Sequence, residues 1–499
     1  MHEHLEQASQ PEGLQRLVIE PVSRVEGHGK VTLLLDDAGR VQQARLHIVE
    51  FRGFERFIQG RPFREVPTLV QRLCGICPVS HLLAASKACD PFVLGSSAIT
   101  PTAKALRRLL HHAQVLQSNA LHFFHLASPD LLFGFDADPA QRNVFGVLAT
   151  NRELGLRGIR IRKYGQEVIR LLTGKRVHGT GSAPGGFLHP LSLAARASMQ
   201  QDIDTIIDWC AASLQLARDQ YLANEAEYRN FAATRSAFLS LVTADGAAEL
   251  YDGVLRVKDA EGRLIVDGHD PARYSDLIRE EVKPWSYMKF PYLAPFGHDG
   301  GYYRVGPLAR INNADVLPTP LAEAARREFS DYGGGKPVQA ALAQHWARMI
   351  DTLMCAETIR ELLDAPELTG SEVMGESSDT LREGVGVIEA PRGTLIHHYR
   401  LAEDDTIACA NLIVSTTHNN RGMNDSVRGV AAQYFDGRTI TEGLLNRIEV
   451  AIRAYDPCLS CATHALGQMP LIVEALAADG QPVSQLIRHA DGQFSRALP

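Results

Sequence analysis

Two short stretches decide how this sequence is interpreted: Arg72-Leu73-Cys74-Gly75-Ile76-Cys77-Pro78-Val79-Ser80-His81 and Asp456-Pro457-Cys458-Leu459-Ser460-Cys461-Ala462-Thr463-His464. Each contains a CxxC pair followed closely by a histidine, and 384 residues separate Cys74 from Cys458. A CxxC turn lets two thiolates point at one metal ion, so two such turns can supply four sulfur ligands. The sequence therefore predicts a four-sulfur metal site assembled from distant parts of the chain.

The spacing of the cysteine pairs alone identifies neither the metal nor its role. Zinc ribbons usually separate their cysteine pairs by about 15–20 residues, so this gap is unusual for a local staple. A thioredoxin-like dithiol needs only one pair beside a βαβ pattern, and that pattern is not seen here. Four soft thiolates suit nickel, iron or zinc alike. On spacing alone, a structural metal remains favoured over a catalytic one.

Composition sets the class of protein. The 499 residues carry 51 basic and 58 acidic side chains, a net charge of −7, and 45% of them are hydrophobic. These are values of a soluble globular protein, and the lack of a basic tract argues against nucleic acid as a partner. We find no apolar run of about 18 residues and no secretory signal, so no membrane span and a cytoplasmic location are expected.

The other four cysteines are isolated and are expected to pack in the buried core: Cys89, Cys210, Cys355 and Cys409. The first part of the chain, about 14–60, is predicted to form β structure, and a hairpin is predicted over 254–266 with its turn at 259–262. Apolar spacing after Thr100–Pro101, and again from Ile203 and Leu342, predicts long helices. The fold class is therefore mainly α with small β additions (α+β).

Four further segments accompany the two motifs in a fixed order: RVEGH (24–28), FRGFE (51–55), HGTGSAPGG (178–186) and EAPRG (389–393). Together with RxCGxCxxxH and DPCxxCxxH, they make nearly the whole chain resemble [NiFe]-hydrogenase large subunits. The details are most similar to the NAD-reducing, bidirectional soluble class. One departure is VSTTHN (414–419), where many other members carry a VPSTWN-like run. The resemblance implies that family's fold, with a helical-bundle core.

The resemblance also implies a ligand set. All four cysteines would bind nickel, Cys74 and Cys458 as terminal ligands and Cys77 and Cys461 as bridges to an iron that carries CO and two cyanides. The alternative that remains for these four residues is a zinc site.

Roles for four further residues follow from the same resemblance. Glu26 would take a proton from Cys458, its alternative being a surface glutamate in a turn. Arg392 would lie over the open face of the nickel and donate to a cyanide, its alternative being a structural salt bridge. His81 would donate to the Cys77 sulfur, and Thr416 would bind the other cyanide. Asp130 and Asp456 are expected to orient the site by hydrogen bonds.

A magnesium site is implied near the C-terminal motif. Glu55, His464 and a backbone carbonyl near Leu412 would be its ligands, although an imidazole is unusual for so hard an ion. A solvated helix residue is the alternative for Glu55. Four histidines on one helical stretch, His111, His112, His122 and His125, match no motif and are expected to be packing or surface groups.

The resemblance divides the chain into a catalytic body, 1–464, and a C-terminal extension, 465–499, that a maturation endopeptidase would remove once nickel-insertion proteins have acted. Electrons would leave through the clusters of a small iron–sulfur subunit, then through FMN-bearing diaphorase subunits to NAD⁺. The chain's paired cysteines are all committed to one site, so it has none left for clusters of its own. The alternatives are a related hydrogenase coupled to another carrier and a non-enzymatic zinc scaffold.

Overall fold

The computed structural model describes residues 15–19, 22–35, 40–377, 379–435 and 441–463, together with three strands in the last part of the chain, Leu471–Leu476, Pro482–Arg488 and Phe494–Ala497. A bundle of long helices forms its centre. The Pro101–Leu121 helix packs against Arg152–Thr173 and against Ala343–Asp364, and the latter also packs against Ile203–Ala223.

The sequence explains where this central bundle begins. Thr100 caps the Pro101–Leu121 helix, since its hydroxyl accepts a hydrogen bond from the backbone N–H of Ala103 at 3.1 Å, and Pro101 occupies the first turn. Leu106 and Leu109 on this helix are fully buried. The predicted helices from Thr100, Ile203 and Leu342 are thus confirmed, each within one residue of its predicted start.

The described helices of eight or more residues are Pro78–Cys89, Pro101–Leu121, Arg152–Thr173, Leu193–Gln200, Ile203–Ala223, Pro320–Tyr332, Ala343–Asp364, Asn420–Tyr434 and Glu442–Arg453. Shorter helical segments include Phe54–Ile58, Val66–Val70, Pro91–Leu94, Ser128–Phe133, Val144–Thr150, Glu225–Tyr228, Tyr274–Leu277, Gly297–Gly300, Pro307–Asn313 and Ser415–His418. One turn of π-helix, His122–Ala127, extends the central helix. None of the described helices is both long and apolar enough to cross a membrane.

Small sheets surround the bundle. The predicted N-terminal β region is an antiparallel sheet of Gln15–Ile19, Gly29–Leu35 and Val41–Ile48. The predicted hairpin at 254–266 is confirmed as Val254–Lys258 and Leu264–His269, in a larger sheet with Ala237–Val242 and Tyr303–Arg304. Other strands form two short pairs, Ile278–Glu281 with Phe290–Leu293 and Ser182–Ala183 with Gly186–Phe187, and the three-stranded sheet of the last part of the chain.

The sequence did not predict one sheet that matters for the site. Glu383–Ala390, Gly393–Leu401 and Ile407–Ile413 form three antiparallel strands that pack on the Pro78–Cys89 helix. Because both faces of this sheet are largely covered, its strands lack the apolar–polar alternation that would reveal them. Two glycines permit the contact: a Cβ on Gly384 or Gly386 would lie about 2 Å from a carbonyl oxygen of that helix (2.0 and 2.1 Å).

Candidate metal centre

The first CxxC pair lies where a short 3₁₀ turn, Gln71–Leu73, meets the Pro78–Cys89 helix. The backbone N–H groups of Ile76 and Cys77 both donate to the Cys74 sulfur, at 3.2 and 3.3 Å. Two amide side chains of the central helix, Gln114 and Gln117, donate to the carbonyl of Ile76 at 3.0 and 2.9 Å. The first loop is therefore fixed through its backbone.

The second CxxC pair lies in an irregular segment after the Glu442–Arg453 helix. A backbone bridge joins Glu26 to Cys458, and the N–H of Leu459 donates to the Glu26 carbonyl at 3.0 Å. Gly27 allows this approach, because it has a φ of +81° and a Cβ there would lie 2.7 Å from the backbone nitrogen of Ser460. The N-terminal segment thus holds the C-terminal motif in place.

The four thiols of the two pairs converge. All four Sγ atoms lie within 4.8 Å of one another, and this is the one such cluster of potential metal ligands among the described residues. Sγ–Sγ distances are 3.3 Å for Cys74–Cys458, 3.9 Å for Cys77–Cys461 and 2.7 Å for Cys458–Cys461, without a disulfide. All four side chains are buried. Cys89, Cys210 and Cys355 are buried elsewhere, as predicted, whereas Cys409 is partly exposed.

The pKa values of Cys77, Cys458 and Cys461 are shifted in different directions. Hydrogen bonds from the Cys458, Cys461 and Cys74 thiols, and from His81, hold the pKa of Cys77 well below its ordinary value despite burial. Burial raises the pKa of Cys458 and of Cys461 well above the ordinary thiol value. The protein therefore favours a proton on Cys458 and Cys461 and negative charge on Cys77.

Glu26 faces the second pair directly. Its Oε2 lies 3.0 Å from the Cys458 sulfur, which donates to it, and accepts the backbone N–H of Ser460 at 3.2 Å. The Ser460 hydroxyl donates to Oε1 of the same carboxylate. This carboxylate is partly exposed, so it lies between the buried thiol and the surface. Sequence reasoning missed Ser460, which sits between the two cysteines of the motif where any residue is allowed.

Arg392 lies at the tip of a two-residue hairpin turn, since Ala390 pairs with Gly393. Its guanidinium donates to the backbone carbonyl and the carboxylate of Asp456 at 2.6 and 3.0 Å, and to Ser118 at 3.3 Å. Burial opposes its charge, but Asp456 and the thiolates of the cluster outweigh burial and raise the pKa of Arg392. Asp456 thus contacts the site, as expected.

The expected second orienting residue, Asp130, lies outside the thiol cluster. Its carboxylate binds Arg453 and Arg24, both at 2.5 Å, and so joins the N-terminal segment to the helix that precedes the second motif. Its contribution is to the framework around the second loop.

One small cavity beside the cluster is lined by Arg392, three of the thiols, His81 and Thr416. The Thr416 hydroxyl accepts the backbone N–H of Cys458 at 3.0 Å, from the short helix Ser415–His418 that follows the unpredicted sheet. His81 is buried on the first turn of the Pro78–Cys89 helix and hydrogen-bonds the Cys77 sulfur. Of the residues that the sequence placed around the four cysteines, His81, Arg392 and Thr416 therefore line one small cavity, and Glu26 contacts Cys458 without lining it.

The predicted magnesium ligands are only partly described. Glu55 is buried, 3% exposed, which rules out the solvated helix residue as its alternative. Its carboxylate accepts the backbone N–H of Leu412 at 2.9 Å, so two of the three predicted ligand residues are adjacent. Burial lowers the pKa of Lys289, but nearby Glu280 and Glu55 raise it above its ordinary value. His464 lies outside the described residues; Thr463 before it accepts backbone hydrogen bonds from Arg52 and Gly53.

Three of the four unassigned histidines of the central helix and its extension, His111, His112 and His122, are buried. Burial lowers the pKa of each of them. His111 and His122 bind backbone carbonyls. They are packing groups, as predicted.

The donor set fits a bound metal centre. Four buried thiols on two loops can ligate soft metal ions. A structural zinc site is closed, with its four ligands and nothing else. Here a buried guanidinium, a threonine hydroxyl and a histidine also border the cluster, and a carboxylate reaches one thiol. These groups are those expected of a site that handles charge and protons.

Comparison with known proteins identifies similar chains. A profile of nickel-dependent hydrogenases matches residues 52–143 and 240–464, and a HoxL-like profile matches residues 16–51. The chain is 47% identical over 489 residues to the NAD-reducing hydrogenase HoxS subunit beta of Cupriavidus necator, covering 95% of this chain and 100% of that one. It is 39% identical to a subunit of the F420-non-reducing hydrogenase of Methanothermobacter marburgensis, covering 94% and 100%.

Two solved hydrogenase structures have a fold similar to that of this chain. The crystal structure of an NAD⁺-reducing [NiFe]-hydrogenase in the H2-reduced state matches with a TM-score of 0.88 and 54% identity, covering 90% of this chain and 99% of that chain. The Ni-Fe-Se hydrogenase of Desulfovibrio vulgaris Hildenborough has the same fold, with a TM-score of 0.74 at 23% identity over 91% of this chain and all of that one.

Proposed function

The chain belongs to the nickel-dependent hydrogenase family as the catalytic subunit of a nickel–iron hydrogenase, and from this premise we propose how its residues divide the work. Cys74, Cys77, Cys458 and Cys461 hold the nickel–iron centre. Cys74 and Cys458 would be the terminal nickel ligands, and Cys77 and Cys461 would be shared with the iron, which would carry CO and two cyanides. When bound, this centre supplies the redox chemistry that converts H2 reversibly to two protons and two electrons.

One observation carries the proposal: the four thiols lie within 4.8 Å, with Cys458 donating to Glu26 over 3.0 Å. A general base must be within hydrogen-bond reach of the proton that it accepts. Glu26 is partly exposed and contacts the buried Cys458 sulfur, so it is the acceptor of that proton toward the surface. The backbone N–H and the hydroxyl of Ser460 fix both oxygens of Glu26 for this transfer.

Three residues shape the enclosed side of the site. Arg392 presents a fixed positive charge to the cavity, because Asp456 holds its fork in place. It would donate to one cyanide, and the Thr416 hydroxyl would bind the other. His81 donates to the Cys77 sulfur and moderates its charge. Glu55, the carbonyl near Leu412 and His464 would hold Mg²⁺, and such an ion would anchor the end of the catalytic body.

In the full complex, electrons pass to the clusters of a small iron–sulfur subunit, then through FMN-bearing diaphorase subunits to NAD⁺, in the cytoplasm. The support is the identity of 47% and 54% to two proteins named as NAD-reducing hydrogenases. A maturation endopeptidase removes residues 465–499 after nickel-insertion proteins have loaded the metal. The family profile supports this boundary, because its match ends at residue 464.

The decisive experiment is metal analysis with infrared spectroscopy on the purified complex. We expect one nickel and one iron per chain in the centre, with one CO band and two cyanide bands. Cys461→Ser should abolish the bands, whereas Cys210→Ala, which changes a buried cysteine outside the cluster, should leave them intact. One zinc per chain with no such bands would overturn the proposal in favour of a zinc scaffold.

A further inference from the structure

A chain of hydrogen bonds leads away from the first CxxC pair into the protein interior. His81, which bonds the Cys77 sulfur, places its Nδ1 3.2 Å from Nε2 of His397. The other ring nitrogen of His397, Nδ1, lies 2.6 Å from the hydroxyl of Tyr399. All three side chains are at most 1% exposed. The path thus runs from Cys77 through two imidazole rings to one phenol.

The order of donors along this path follows from its first atom. A thiolate that holds a metal can only accept a hydrogen bond, so the His81 nitrogen that faces Cys77, Nε2, must carry the proton. Nδ1 of a neutral His81 is then an acceptor, and Nε2 of His397 must donate to it. Nδ1 of His397 is an acceptor in turn, which requires the Tyr399 hydroxyl to donate.

The opposite order is disfavoured by the far end of the path. If His397 donated to Tyr399, the buried phenol O–H would need an acceptor of its own, and the hydroxyl has no second hydrogen bond among the described residues. The Tyr399 ring lies in an apolar cluster with Ile58, Phe63 and Ile407, among others. This cluster separates the end of the path from solvent. The path therefore fixes the position of a proton and does not carry protons to the surface.

We propose that Tyr399, acting through His397, is a positioning residue that fixes the proton of His81 on the nitrogen facing Cys77. The inference rests on the proposed role of Cys77 as a metal ligand. A hydrogen bond to a ligating sulfur withdraws electron density from it, so the phenol sets the electron donation of the bridging thiolate through the two histidines. Burial raises the pKa of Tyr399 well above its ordinary value, so the phenol keeps the proton that it must donate.

Tyr399→Phe tests the proposal, with the loaded complex as the sample. Without the phenol, His397 can hold its proton on either nitrogen, and the hydrogen bond from His81 to Cys77 weakens. The sulfur then donates more charge to the iron, so the CO and cyanide infrared bands should move to lower wavenumbers. Hydrogen oxidation should fall about 10-fold, as for other residues that orient metal ligands, while nickel and iron content stay at the wild-type level.

Two further variants separate this role from a merely structural one. Tyr399→Phe combined with His397→Gln should restore the wild-type bands, because an amide nitrogen is a donor whatever faces its other side. Tyr164→Phe removes another buried hydroxyl, which donates to the Met199 carbonyl at 3.0 Å, and should not move the bands. If Tyr399→Phe cannot be obtained with metal, His397→Leu and His397→Gln decide together. His397→Leu removes the donor to His81 and should move the bands to lower wavenumbers, whereas the amide of His397→Gln should leave them unchanged.

The outcomes that would contradict the proposal are distinct from failure of the proposed function. Wild-type bands in Tyr399→Phe, or shifted bands that His397→Gln does not restore, would overturn the positioning role and leave the nickel–iron centre established. Absence of the bands from the wild-type complex would instead overturn the proposed function itself.

Discussion

The two CxxC loops carry the same motif but are held in different ways. The first loop, 74–77, opens a helix, and amide side chains hold its backbone from the central bundle. The second loop, 458–461, has no helix after it in the described residues, and the groups that contact it are polar or charged: Glu26, Thr416 and Arg392 through Asp456. The first pair is therefore part of the helical framework, whereas contacts from other segments hold the second pair against that framework.

The difference indicates how a site across 384 residues can be both rigid and reactive. A fully helical setting would fix all four thiols but leave no room for a carboxylate or a guanidinium beside them. The irregular second loop provides that access, and the N-terminal segment at Glu26 and Gly27 fixes its position. The comparison predicts that changes around the second loop should impair the reaction, whereas changes to the amide side chains that hold the backbone of the first loop should impair stability.

The largest effect is expected at Glu26. Glu26→Gln keeps the size and the hydrogen-bond acceptor for the Ser460 hydroxyl but removes the proton acceptor of Cys458. General acid–base groups contribute about 10²–10⁴-fold, and hydrogen oxidation should fall by that factor. Metal content and infrared bands should persist, because the thiols remain. Glu50→Gln, which changes a nearby carboxylate that binds His28 outside the site, is the control. A Glu26→Gln enzyme of normal rate would show that the second loop's protons leave by another route.

Arg392→Lys should have the next largest effect. Lysine keeps the positive charge but loses the fork that binds Asp456 through two nitrogens. Removal of one fixed donor from an active site typically costs about 10²-fold in rate, and that loss is expected here with the metals retained. Arg304→Lys changes another buried guanidinium, bound to Ser236 and Gln339 away from the thiols, and should leave the rate unchanged. Loss of nickel in Arg392→Lys would instead assign the arginine to the scaffold.

The sequence predicted the convergence of the four cysteines better than the surroundings of that cluster. Cysteine pairs are local patterns, and their family resemblance brought Glu26, Arg392 and Thr416 to the site, where the structure places them. Gly384 and Gly386 belong to a sheet that the sequence did not predict, since burial on both faces removes the alternation of polar and apolar residues. Partners such as Ser460, Ser118 and His397 leave no periodic signal, because their roles depend on contacts across the fold.

The scaffold of the first loop should be sensitive to acid. His111, on the same helix as Gln114 and Gln117, binds the carbonyls of Leu250 and Glu389, and burial lowers its pKa to about 3 from an ordinary value of 6.5. Between these values the unfolded chain takes up a proton that the folded chain refuses. Stability is therefore lost as the pH falls, by about 1.4 kcal/mol per pH unit across this window.

His111→Gln tests this linkage, since glutamine keeps a donor at the position of Nε2 but does not titrate. The midpoint of acid unfolding, followed by near-ultraviolet circular dichroism, should move to lower pH in the variant. Above pH 7, where His111 is neutral in the folded and the unfolded chain, the stabilities of the variant and of the wild type should change with pH in the same way. An unchanged acid midpoint would indicate that this histidine is not the group that limits the scaffold.

The smallest effect should come from a matched pair of hydrogen bonds, one for each loop. Gln117→Leu removes one of two donors to the Ile76 carbonyl and leaves Gln114 in place, so it should cost about 1 kcal/mol of stability and change the rate less than about twofold. Thr416→Val removes the acceptor of the Cys458 N–H, which leaves a buried donor unpaired beside the reacting thiol. It should slow hydrogen oxidation about 10-fold at comparable stability. Rates measured with thermal midpoints on both variants decide the matter: equal rate losses would mean that the loops do not differ in the way their contacts suggest.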